Sequence, residues 1–314
     1  MTGTTIEIVG LTLACFGLLI GFTIFGEYLR SRVPPGRQSA MVNAYATRLR
    51  SWWAMVILFS LALLGGVTGV VILFAFASFA ALREFYTFSV KAQADHLALA
   101  LAFFVVLPAQ FALIWLGQSE IFAVFIPVYA FLMLPMVSVL RGNAARFLVR
   151  VSETQWGLMI CVFCLSHVPA LITLDIPEYG DRAVLLIAFL VMVVQIGDLL
   201  DIFFGRRIGR TRIAPDLSPR TWEGFLCGVI GAAIVGGLLH WITPFGPLGA
   251  MAMAAAASIS GHFGSIVLTA IKRDKGVRDW SHLIPGQGGL MDQLDSVIFA
   301  APVFFHLTHL IWAL

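Results

Sequence analysis

The chain reads as an all-α integral membrane protein, a polytopic helical bundle of about ten spans. Three observations carry that reading. Of 314 residues, 60% are hydrophobic and 12% charged, where soluble domains carry roughly a quarter charged residues. The mean hydropathy is +0.93. The apolar residues fall in runs of about 20, the length that crosses a bilayer as helix. A formal net charge of +3 says little about partners, and nothing in it asks for nucleic acid.

The first run, 8 to 28, lacks a basic segment before it, since Glu7 is the only charged residue before Glu27, and has no convincing small-residue cleavage site, so it is expected to stay as a span. Next comes Trp52 to Leu82. As helix it would cover about 46 Å, too long for one crossing and short for two; Gly65 and Gly66 sit near its middle. The remaining runs are 97–117, 121–140, 155–175, 183–203, 224–242, 246–271 and 296–314. Cys15, Cys161, Cys164 and Cys227 all lie inside apolar runs, so neither a disulfide framework nor a metal cage is expected.

Lys and Arg in short loops favour the cytoplasmic side. Segment 29–51 carries Arg30, Arg32, Arg37, Arg48 and Arg50; segment 141–154 carries Arg141, Arg146 and Arg150; segment 204–222 carries Arg206, Arg207, Arg210, Arg212 and Arg220. Segments 176–182 and 243–245 lack such an excess. All three basic segments share one side only if Trp52–Leu82 turns back at the glycine pair. That parity gives ten spans with both termini outside; a re-entrant hairpin at 52–82 has the same parity. The one boundary expected separates an N-terminal transmembrane bundle, 1–176, from a C-terminal half, 177–314, that carries the polar motifs.

Those motifs form three stretches. In "GDLLDIFFGRRIGRTRIAPDLSPRTWEGF", residues 197–225, Asp198 and Asp201 lie three apart and so share a helix face. The arginines that follow suit a juxtamembrane segment, while Ser218 and Thr221 stand where a helix N-terminus can cradle phosphate oxygens. In the second stretch, "AMAAAASISGHFGS" is a small-residue packing helix that runs into Thr269, Lys272 and Arg273. His262 within it reads as an interior histidine with its bonds satisfied rather than a ligand. The third is "IPGQGGLMDQLDS", residues 284–296. Its glycines can aim N–H groups at an oxyanion. Asp292 and Asp295 follow on one helical face, as helix-start acids stabilised by the macrodipole or as oxygen ligands for Mg²⁺ shared with phosphates.

Together the stretches resemble the phosphatidate cytidylyltransferase (CDP-diacylglycerol synthase) family. Its signature runs S-x-x-K-R-x(4)-K-D, then P-G-H-G-G, then D-R-x-D; here the order is "TAIKRDKGVRD", "PGQGG" and "DQLD". Upstream, the family's D-x-x-A-Y-x-x-G…S-P-x-K-T-W-E-G is similar to Asp198, Gly205 and "SPRTWEG", and "REFYTF" fits a further short feature. The resemblance implies transfer of CMP from CTP to phosphatidic acid or a related lipid phosphate, giving CDP-diacylglycerol and pyrophosphate, with Mg²⁺ as cofactor. It implies that Lys272, Arg273, Arg278 and Asp279 grip and orient phosphates. Ser218, Pro219, Arg220, Thr221, Gly288 and Gly289 would line the nucleotide pocket. Asp292 would hold the cation, helped by Asp295, with Asp198 close enough to share its surroundings. A homodimer in a bacterial-type inner membrane, its active site facing the cytoplasm, is also implied.

Several positions depart from the pattern. Ser265 stands where the family has the acid of Gly-Asp-Leu; Gln287 replaces His, Gln293 replaces Arg, Arg278 replaces Lys and Thr269 replaces Ser. The "SPRTWEG" block is one residue shorter than its counterpart. A hydroxyl is a far weaker Mg²⁺ ligand than a carboxylate. The alternative is therefore a catalytically impaired paralogue that binds lipid or nucleotide or supports a partner protein. A transporter would spread polar residues along midplane helices or repeat a half; here they gather towards one face.

Overall fold

A computed structural model describes residues 3–31, 40–89, 93–140 and 142–313. Ten helices organise them: α1 (Gly3–Ser31), α2 (Ala40–Leu64), α3 (Gly66–Thr87), α4 (His96–Trp115), α5 (Ser119–Leu140), α6 (Phe147–Thr173), α7 (Val184–Ile208), α8 (Trp222–Leu238), α9 (Pro247–Asp274) and α10 (Leu290–Trp312). Nine are long and apolar enough to span a bilayer; α8, at 17 residues, is shorter. The ambiguous Trp52–Leu82 run is two helices turning at Gly65 and Gly66, where Gly66 takes φ +62, a left-handed value that costs glycine little. Its awkward length disappears because α2 begins at Ala40 and α3 runs on to Thr87. Of the basic residues used for the parity argument, Arg32, Arg37 and Arg141 lie outside the described residues.

Each helix reverses the one before it, so the connections divide between two ends. At one end Glu7 of α1 pairs with Arg182 (2.8 Å), Arg182 donates to the Trp241 carbonyl, and Phe245 packs on Trp312 near the end of α10. The opposite end gathers the start of α2, the end of α3, the start of α6 and the loops 209–221 and 275–289. There Arg48 donates to Gly286 O (3.3 Å), Ser51 to Pro285 O (3.2 Å), and Arg273 to Asp216 O (2.6 Å). Arg150, counted above as a topology marker, is buried and paired with Asp95 (2.7 Å).

The core runs along α6, α7, α9 and α10, where Leu165, Leu185, Phe189 and Phe304 are fully buried. Phe76, Phe104 and Leu148 face outward, as lipid-facing side chains do. Wide π-turns interrupt α4, α5 and α6; Pro127 lies inside one and Pro108 just after another, positions where proline's missing N–H is accommodated. Helix α8 lies close to α7 through Gly224, whose added Cβ would meet Asp201 Oδ1 at 2.5 Å. That close approach brings the acids of α7 against the loop that precedes α8.

Candidate active site

The two α7 acids face the same way, as their spacing requires, and Arg220 reaches between them. Its Nη1 donates to Asp198 Oδ1 (2.7 Å) and to Asp201 Oδ2, while Nη2 donates to Ser265 Oγ (2.8 Å). Ser265 in turn donates to Asp295 Oδ2 (2.7 Å). Ser296 Oγ donates to Asp198 Oδ2 (2.9 Å) and lies 3.2 Å from Asp295 Oδ1. One guanidinium and two hydroxyls therefore join three carboxylates from α7 and α10. Burial pushes the Arg220 pKa down, but Asp198 and then Asp201 outweigh it and hold the group above its ordinary value. The arginine is placed by local structure: Ser218 Oγ accepts from its N–H (3.3 Å), and Thr221 caps α8 by accepting from Gly224 N (3.2 Å).

A second network lies beside the first on α10. Lys272 Nζ donates to Asp292 Oδ1 (2.8 Å), and Asp292 Oδ2 accepts from Trp280 N (2.9 Å) and Gly289 N (2.8 Å). Asp292 is thus the third helical residue, and its carboxylate caps the N–H of Gly289, the residue that precedes the helix. The glycine turn has its own conformational demands: Gly286 and Gly288 take φ +76 and +89. Beneath it sits Glu84 of α3, 2% exposed. Its carboxylate accepts from Ser281 Oγ (2.6 Å), Leu290 N (2.9 Å) and Met291 N (2.9 Å). A carboxylate on the first N–H groups of a helix satisfies donors that the helix cannot and suits its dipole.

The expected residues thus meet at one bundle end. Ser218, Arg220 and Thr221 come together with Asp198 and Asp295. Lys272, Asp292 and Gly289 form the adjoining network, and Arg273 holds the 209–221 loop to α9. Pro219 and Arg278 are exposed and Asp279 half-buried. The Gly289 N–H, expected to face an oxyanion ligand, is taken by Asp292. Asp198 meets Asp295 through Ser296, whereas Asp292 sits with Lys272. Asp198 and Asp295 lie side by side and offer the oxygen ligands a hard cation takes, but in this arrangement their oxygens, like those of Asp292, all accept hydrogen bonds from protein donors. Sequence reasoning missed Glu84, although it lies in the "REFYTF" stretch, and left Asp201 without a role. It also misjudged His262, whose Nε2 has no hydrogen-bond partner.

Fold and site together define a class: a polytopic membrane protein with a buried cluster of paired acids and bases at one bundle end. Residues 46–311 match the Cytidylyltransferase family, and the chain belongs to that family. It is 38% identical over 296 residues to the uncharacterized protein YnbB of Escherichia coli (strain K12), covering 93% of this chain and 95% of that one. It is 33% identical over 138 residues to a phosphatidate cytidylyltransferase of Synechocystis, and 35% over 122 residues to one of Brucella abortus. Those two matches cover 43% and 38% of this chain and 47% and 45% of the relatives' lengths. The resemblance drawn from the motifs is borne out, with this chain a divergent member.

Proposed function

We propose that the protein is a membrane nucleotidyltransferase that moves CMP from CTP onto phosphatidic acid or a related lipid phosphate, giving CDP-diacylglycerol and pyrophosphate. One observation carries the reading: the "SPRTWEG" turn, Lys272 with Arg273, and the acids of α10 converge at one bundle end. In this reading that end faces the cytoplasm from an inner membrane, with the basic segments on the side that positive charge favours. A homodimer, as in the family resemblance, belongs to the same proposal.

An oxygen of the lipid phosphate attacks the α-phosphorus of CTP. The bond from that phosphorus to the bridging oxygen breaks in line, and pyrophosphate leaves with the electron pair. The nucleophile is already anionic at neutral pH, so the protein's part is positioning and charge balance. Lys272 exchanges Asp292 for an oxygen of the triphosphate. Arg273 and the exposed Arg278 bind phosphates, and Asp279 orients them. Ser218, Pro219, Arg220 and Thr221 line the nucleotide pocket with Gly288 and Gly289. Magnesium would be held by Asp198 and Asp295, and by Asp292 once Lys272 has left it, and would neutralise charge along the triphosphate.

A second reading, a relative that binds lipid or nucleotide without turnover, is favoured by the Arg220 cluster, which occupies Asp198 and Asp201, and by Ser265 in place of an acid. Purified protein with phosphatidic acid, labelled CTP and Mg²⁺ is expected to release pyrophosphate, and Asp292→Ala to abolish that release. CTP binding without release would sink the enzyme reading and leave the silent relative. Neither binding nor release would end both.

A further inference from the structure

His262 stands in the middle of α9, 2% exposed, where a histidine is costly unless its nitrogens are matched. Its Nδ1 lies 2.6 Å from the Ser258 carbonyl oxygen. A carbonyl only accepts, so Nδ1 donates to it and Nε2 is the ring nitrogen left to meet another partner. That Nε2 has no hydrogen-bond partner and faces Asp201 Oδ2 at 3.5 Å. A carboxylate oxygen facing a ring nitrogen at this distance is a pair that a proton or a metal ion can join. The space is kept by Gly228 of α8, whose added Cβ would come within 2.8 Å of Nε2, and the Phe225 ring closes another side at 5.4 Å between centroids.

We propose that Asp198, Asp201 and His262 form a site for a divalent cation of borderline softness, Mn²⁺ or Zn²⁺, with Arg220 as its built-in competitor. Each residue offers one ligand atom, all within 4.8 Å of one another. A contraction of roughly 0.7 Å brings such a set to the usual distance of 2.0–2.2 Å from a common centre. Two carboxylates and an imidazole suit Mn²⁺ or Zn²⁺ better than Mg²⁺, which takes oxygen donors. The change in charge follows the same line. Against the family pattern, Ser265 on α9 has lost an acid, and Asp201 is an acid gained at the pattern's alanine, three residues after Asp198. Arg220 Nη1 bonds Asp198 and Asp201 together, so guanidinium and cation claim the same oxygens. This site does not require nucleotidyl transfer, because its readout is cation binding.

The test uses the full chain in detergent, stripped with chelator and titrated with Mn²⁺. Bound ion is followed by electron paramagnetic resonance, and imidazole nitrogen by echo-envelope modulation. The expected result is a bound Mn²⁺ with histidine modulation that a hundredfold excess of Mg²⁺ does not displace. His262→Gln weakens binding at least tenfold and removes the modulation. Arg220→Ala tightens it at least tenfold; should that variant not fold, the wild type and His262→Gln decide alone. Absent modulation, or an affinity indifferent to His262→Gln, overturns the site. So does loss of Mn²⁺ on Asp292→Asn, which would move the cation to the α10 acids. Pyrophosphate release can fail while all of this stands.

Discussion

Truncating Glu84 to alanine removes the carboxylate that accepts from Leu290 N and Met291 N at the start of α10. Three donors lose their acceptor: Ser281 Oγ, Leu290 N and Met291 N. Hydrogen bonds to a charged group contribute about 1.5–3 kcal/mol each, which sets an upper bound of about 5–9 kcal/mol. Ser281 is half-buried and can turn to water, so its share largely drops out. The two amides remain, each costing about 1–3 kcal/mol when orphaned, with about 0.5–1 kcal/mol more from the helix dipole. A net loss of about 3 kcal/mol follows, which is roughly a hundredfold in an opening equilibrium. Hydrogen exchange in detergent reads this directly: the Leu290 and Met291 amides should lose about two decades of protection relative to the core of α7. Glu84→Gln, which keeps one acceptor oxygen, should fall between. A change below threefold in Glu84→Ala would refute the idea that this carboxylate holds the turn.

Arg220→Ala leaves buried carboxylates uncompensated and should cost about 3–5 kcal/mol in chelator; adding Asp201→Ala should recover part of that loss, measured as the thermal unfolding midpoint in detergent. Thr221→Ala removes the α8 cap and should lower stability by about 1 kcal/mol, with Thr221→Ser near the wild type. Gly228→Ala sets a methyl 2.7 Å from the Gly197 carbonyl oxygen and should destabilise the α7–α8 contact by about 1–3 kcal/mol. If Lys272 moves from Asp292 to the triphosphate, Lys272→Met should slow pyrophosphate release about 100-fold. The Lys272→Met, Asp292→Asn double variant should then be less impaired than the two single effects multiplied.

Much of the architecture was legible because the length of an apolar run encodes a crossing directly. The glycine pair and the distribution of arginine showed that the Trp52–Leu82 run turns back, but not whether it makes two spans or a re-entrant hairpin; the structure has two long helices turning there. The concentration of acids and bases in the last third also foretold where the site lies. What escaped was set by partners distant in sequence. Nothing local to Glu84 announces that Leu290 and Met291 will be its donors. His262 looks satisfiable from its own helix, and Ser258 does satisfy Nδ1; only the placement of α7 against α9 shows that Nε2 meets an acid instead. Arg220 lies in a block one residue shorter than the family pattern, so spacing alone could not say which carboxylates it would reach. Asp292 could be read as cap or as ligand from the same letters, and the capping geometry comes from Gly289.

The link between α3 and α10 also orders events in time. Glu84 is synthesised 206 residues before Leu290, whose amide it accepts; at about 5–20 residues per second, that is roughly 10–40 s of translation. During that interval the early helices must lodge in the bilayer with an unsatisfied carboxylate at the end of α3, kept wet at the membrane surface. Arrival of the α9–α10 hairpin dries it, so the docking of these helices against α3 is also the event that closes the glycine turn over Glu84.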